Sequence, residues 1–198
     1  MKSPTGFKHI LLIMTLLLFS TMARAEWELD TTRSKVNFIS IKNNQVGEVH
    51  SFTSLAGFIG ATGKIQLAIN LDSVDTLIEV RNERMRELLF ETVKFPTAKI
   101  TAQTDPRLLA EVASGGVLTT DLPITLLLHD KEKILTLPMV IVGEGDGSLR
   151  VFGAQPVLIN AADFGLEGGV KALREIAGLE AISNSVPVTV QLMFVAVR

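Results

Sequence analysis

The sequence predicts an all-β protein of about eight short antiparallel strands, a barrel or a sandwich, with one or two short helices. Three observations carry this. Apolar and polar residues alternate along several stretches. Turn-forming residues separate those stretches. Only two segments show helical spacing instead.

The alternation is clearest in residues 64–71, where Ile65, Leu67, Ile69 and Leu71 share one face and Lys64, Gln66 and Asn70 the other. Residues 35–38 begin in the same way. Residues 186–194 place Val186, Val188, Val190, Leu192 and Phe194 together. Residues 118–128 do so with Leu118, Leu122, Ile124, Leu126 and Leu128. Leu135, Leu137, Met139 and Ile141 make a further set, and Val157 and Ile159 a shorter one. Turn signals lie between them at Asn43-Asn44, at residues 60–63, at Ser114-Gly115-Gly116, at His129-Asp130-Lys131 and at residues 143–147.

Residues 75–91 break the pattern, with Ile78, Met85, Leu88 and Leu89 on one helical side and Glu83 and Glu87 opposite. Asp75 or Thr76 can cap that helix, and Pro96 forbids much continuation. Residues 169–181 predict a second helix through Val170, Leu173, Ile176 and Ala177. Arg81 falls beside Ile78 and Met85. There it can snorkel to the rim, pair with Asp72 or Asp75, or meet the polar head of a ligand.

The first 25 residues read as an export signal. Two lysines and no acid precede an uncharged run from Ile10 to Phe19, and Ala23-Arg24-Ala25 is a small-x-small cleavage site. The run is short of the ~20 apolar residues a spanning helix needs. No cysteine stands at the cut to take a lipid anchor. The expectation is cleavage after Ala25 and a periplasmic protein, folding in an oxidising, non-cytosolic compartment. Residues 26–198 are expected to form one domain. Losing 1–25 removes Lys2, Lys8 and Arg24 and no acid, so the net charge moves from −2 to −5. An acidic balance without a basic run argues against nucleic acid. With no cysteine, stability must come from the core.

The chain offers few parts for catalysis. It has no metalloprotease, nucleophile-elbow, dinucleotide or phosphate-loop motif. His50 and His129, far apart in sequence, are the only histidines left after cleavage. They are weak evidence for a metal, and His129 reads as a turn residue. No enzyme activity, metal or cofactor is expected.

The order of several short motifs resembles the YceI-like family of exported, lipocalin-like proteins associated with polyisoprenoid binding. Trp27-Glu28-Leu29-Asp30 and Ser34-Lys35-Val36-Asn37-Phe38 resemble its opening strand, and residues 57–71 its next strand pair. Residues 72–76 with 81–86 resemble its most distinctive run. Phe90 through Ile100 and residues 162–166 resemble two later segments. At residues 129–133 the chain lacks the Gly and Pro of a turn the family often carries, and residues 165–185 read as long for it.

The resemblance implies an antiparallel lipocalin-like barrel with a helix near one end. It also implies an isoprenoid lipid or quinone tail held in an apolar interior, with no covalent chemistry. Inward-facing Phe38, Leu67, Ile69, Ile124, Leu126 and Met139 would then line the pocket, with Ile159, Val190 and Leu192. Met85, Leu88 and Leu89 would close one end, and Arg81 would meet the head group. Transient membrane contact is compatible with such cargo, and oligomeric state is open. The other readings are a structural or stress-related barrel with a filled core, and an accessory protein linked to metal or haem.

Overall fold

A computed structural model describes residues 25–197. The predicted export segment, Ala25 apart, lies outside the described residues. The strands are β1 (Ala25–Leu29), β2 (Lys35–Lys42), β3 (Val46–Phe52), β4 (Leu55–Gly60), β5 (Lys64–Asn70) and β6 (Val74–Asp75). After them come β7 (Thr97–Gln103), β8 (Val117–Leu128), β9 (Lys131–Gly143), β10 (Leu149–Gly153), β11 (Val157–Asn160) and β12 (Ser185–Ala196). Every pairing is antiparallel. Eight strands run in the order β1-β4-β5-β7-β8-β9-β10-β12, and β12 pairs back on β1 to close a barrel. Closure removes the exposed edges of an open sheet.

The long strand β12 serves both ends. Its C-terminal half pairs with β10 and β1, and its N-terminal half with β2 and β11. From β2 the sheet continues through β3 to β6. At this second end the wall is split. Residues 131–138 of β9 pair only with β8, and β11 pairs only with β12. The 3-10 turn Ala161–Phe164 packs on β9 across the split, and Lys133 Nζ lies 3.6 Å from Asp163 Oδ1.

The two ends are filled differently. Helix α2 (Pro106–Ala113) plugs the first. The sequence reading did not anticipate it, although Asp105 caps its N-terminus and Pro106 opens its first turn. Its Leu109 is 1% exposed, in one core with Trp27, Ile59, Leu149 and Phe194. Gly143 lets α2 approach β9, since a Cβ there would fall 2.7 Å from the Val112 carbonyl carbon. Trp27 Nε1 donates to Gly147 O at 2.8 Å and ties β1 to the β9–β10 turn.

Helices cover the other end. Residues 75–91 form a shorter helix than predicted, α1 (Glu79–Arg84), which continues as a π-helical turn, Met85–Leu89. Neither Asp75 nor Thr76 caps it. Leu77 adopts φ 62°, its N–H donating to Asp75 Oδ1, so the chain turns before helix begins. Thr76 instead donates from N and Oγ1 to buried Asn82 Oδ1, at 2.8 and 2.6 Å. The second helix, α3 (Glu167–Ile176), starts and ends earlier than predicted, with Gly178 at φ 63° just beyond it. It packs against the π-helical turn at Gly169, where a Cβ would lie 2.7 Å from Leu89 Cα. Gly169→Ala is therefore expected to push the two lid helices apart. It should lower stability by about 1–3 kcal/mol, read as an earlier urea midpoint at unchanged slope.

Candidate ligand cavity

Inward positions on the strands are mostly apolar, with buried His50 on β3 an exception, but they meet only where α2 and Trp27 fill the barrel. Toward the lid the walls stand apart around a cavity of about 180 Å³, within about 1010 Å³ of unfilled space including its mouth. Val36, Phe38 and Phe52 line one side, and Ile69, Ala98, Ile100, Ile124 and Leu126 another. Leu135 and Leu137 of β9 face Val157 and Ile159 of β11 across the split wall. Val186, Val188 and Val190 come from β12. Leu89, Phe90, Leu166 and Val170 form the underside of the lid. All the lining side chains are hydrocarbon, so nothing there can act as acid, base or nucleophile.

Of the residues predicted from sequence, Phe38, Ile69, Leu89, Ile124, Leu126, Ile159 and Val190 line this cavity. Five do not. Leu67, Met139 and Leu192 face inward but lie in the packed core, as does Met85. Leu88 is 36% exposed. Strand alternation assigns a face and says nothing of height along the barrel, so Leu67 and Ile69, two residues apart, part company. For Leu88 the cause is local. Phe90 N–H donates to Met85 O, five residues back, and this wider turn rotates Leu88 off the apolar side.

A polar cluster sits between β2, β3 and α1. Glu48 Oε2 accepts from Lys42 Nζ and from Arg81 Nη1, each at 2.5 Å. Arg81 Nη2 donates to Thr76 O at 2.6 Å. Arg81 therefore pairs with Glu48, not with Asp72 or Asp75, and pins the lid helix to β3. It does not line the cavity, and its buried Nε is its one nitrogen without a partner. The Lys42 ammonium, then Arg81, holds the Glu48 carboxyl below its ordinary range.

His50, 4% exposed, shares a hydrogen bond of 2.8 Å between Nε2 and Ser40 Oγ, and its ring packs on Phe38 at 5.1 Å. Burial, aided by Arg81, pushes its pKa down to about 4. Its Nδ1 is buried without a partner. His129 is elsewhere, in the tight β8–β9 turn. His129 and Asp130 there take φ 52° and 57°, as a two-residue hairpin of this hand requires. The His129 ring packs on Phe95 at 4.2 Å. Its nitrogens face Glu91 Oε2 at 3.1 Å and Phe164 O at 3.2 Å, so it ties the hairpin to both lid segments. Among the described residues no three His, Asp or Glu side chains gather as metal ligands.

A closed antiparallel barrel, packed at one end and hollow under a helical lid at the other, defines the class of lipocalin-like barrels with an apolar interior. Residues 27–194 match the YceI-like domain, and the chain belongs to that family. It is similar to the structure of a polyisoprenoid binding domain from Saccharophagus degradans implicated in plant cell wall breakdown. That match has 38% identity and a TM-score of 0.85, over 88% of this chain and 100% of that one. Burkholderia cenocepacia BcnA matches at 18% identity and a TM-score of 0.64, over 83% and 98% of the two chains. A Campylobacter jejuni YCEI protein matches at 16% and 0.54, over 80% and 90%. At these lower identities the likeness is one of fold. No curated protein matches the sequence.

Proposed function

We propose that the protein binds and carries an isoprenoid-type lipid, such as a quinone tail, in the hollow half of its barrel, without covalent chemistry. The observation that carries this is a cavity whose lining is entirely hydrocarbon. A long prenyl chain offers the same surface, and moving it out of water is favourable by roughly 25 cal/mol per Å². A polar head has no partner in such a cavity, so it stays at the mouth. The polyisoprenoid binding of the similar Saccharophagus degradans domain supports the same ligand class. The hollow half favours this reading over a barrel that is structural only.

We place the protein in the periplasm on the export pattern of residues 1–25. The test is native mass spectrometry of the protein purified from its own cells, with organic extraction of what it holds. A stoichiometric prenyl lipid is expected. A protein that arrives empty and takes up no added prenyl quinone contradicts the proposal.

A further inference from the structure

Five of the thirteen large apolar side chains exposed among the described residues fall between Leu77 and Val93, in the lid segment whose Leu89 and Phe90 line the cavity: Leu77, Ile78, Val80, Leu88 and Val93. Ile176, at the end of α3, adds a sixth on the neighbouring lid helix. Single exposed apolar residues are ordinary, but six on two lid segments that pack together are not. The two most exposed are presented by unusual backbone. Leu77, 88% exposed, is itself left-handed at φ 62°, and Val93, 101% exposed, follows Glu91 at φ 45°. A leucine held in that conformation, facing water, is unfavourable twice over, where asparagine would suit the backbone better. Both side chains face water, so neither adds to the buried core.

The charges of the lid say what it faces. Residues 76–94 carry four acids and four bases, and α3 two of each, in a chain whose residues 26–198 have a net charge of −5. Many of these charges pair within the lid: Arg86 with Glu79 at 2.6 Å, Lys94 with Glu91 at 2.7 Å, and Arg174 with Glu175 at 3.3 Å. The acidic excess lies on the rest of the barrel. A neutral, internally paired surface studded with hydrocarbon is matched to the interface of a phospholipid bilayer, and it needs no anionic lipid to hold it. Among the described residues no helix is long and apolar enough to cross a membrane. The contact in view is therefore one made from the surface by the lid.

We propose that this lid face, led by Leu77 and Val93, docks on a phospholipid bilayer with the cavity mouth toward the lipid. The role of the contact rests on the reading of the cavity as a prenyl-chain site. Docking brings the mouth to the phase where such a chain dissolves, so it need not cross water.

The test is sedimentation of the full protein with zwitterionic phosphatidylcholine vesicles at low and high salt. It is run beside the double variant Leu77→Asn/Val93→Asn. Prenyl-alcohol binding by both proteins is measured separately in vesicle-free solution. Vesicle association of the wild type that persists in high salt is expected, reduced at least about tenfold in the variant. Prenyl-alcohol binding should be unchanged, and thermal stability unchanged or slightly raised, since asparagine suits the left-handed backbone at residue 77. A wild type that ignores these vesicles overturns docking, whatever it does with the prenyl alcohol. So does a variant that sediments as the wild type does, or a face whose loss removes only a protein partner. Vesicle association without prenyl-alcohol binding would instead sink the cavity reading and leave docking standing.

Discussion

Replacing Val188 and Ile124 together with phenylalanine is expected to reduce prenyl-lipid binding more than about tenfold while leaving the barrel as stable as before, or slightly more so. Both side chains line the cavity, on strands three places apart around the ring, so the new rings fill it from two walls. Overpacking a dense core costs stability, because neighbours must move. Here about 180 Å³ is open to receive the added atoms, and their new contacts favour the folded state. Phenylalanine is the appropriate probe, since an indole N–H would find no acceptor among these walls. The contrast is Phe194→Ala in the packed half, 2% exposed, which should cost about 3–5 kcal/mol. Urea unfolding and lipid titration of both variants check this. A filled cavity that still binds lipid with wild-type affinity would place the ligand elsewhere.

The second large effect is a loss of stability in acid through His50. Its pKa is about 4 in the folded protein, because burial disfavours the charged ring, and about 6.5 in the unfolded chain. Between those values the unfolded chain takes up a proton that the folded protein refuses. The contribution is therefore whole above about pH 6.5 and is lost as pH falls toward 4. It amounts to about 3 kcal/mol at ~1.4 kcal/mol per pH unit. Glu48 adds a further loss at lower pH, since its carboxylate is favoured in the folded state and must eventually protonate. His50→Gln can keep a bond to Ser40 and does not titrate, so its stability should be nearly flat from pH 6.5 to 4.5. Urea unfolding at those two pH values decides it. An equal acid loss in both proteins would assign the effect to other groups.

The walls of this barrel were legible from sequence because period-two alternation reports directly which side chains face inward. Lys64–Asn70 follows that pattern, and β12 does so until Leu192, Met193 and Phe194 are buried in succession. What alternation cannot carry is position along the axis. Leu67, Met139 and Leu192 face inward yet belong to the packed half, because strand tilt, α2 and Trp27 set where the interior fills. Helix α2 left a readable trace in Asp105-Pro106 followed by Leu109 and Val112, four and three residues on, in a stretch with no strand pattern. The lid was harder. Nothing in Thr76-Leu77-Ile78 signals a left-handed leucine, and a π-helical turn preserves the residue types of an α-helix while shifting Leu88 off its face. Arg81 stood out in sequence as a charge beside Ile78 and Met85, but it pairs with neither Asp72 nor Asp75. Its partner Glu48 lies 33 residues away, on a strand that only the tertiary fold brings near.

The claim that one half of the barrel is a binding chamber and the other a packed core is tested most directly by methyl NMR. A long prenyl alcohol would be titrated into protein labelled at Ile, Leu and Val. Shifts should concentrate on Ile69, Ile100, Ile124, Ile159 and Val188 around the cavity. Ile59, Leu109 and Leu149 in the packed half should stay nearly still. Shifts spread evenly over both sets, or confined to the packed half, would contradict the account.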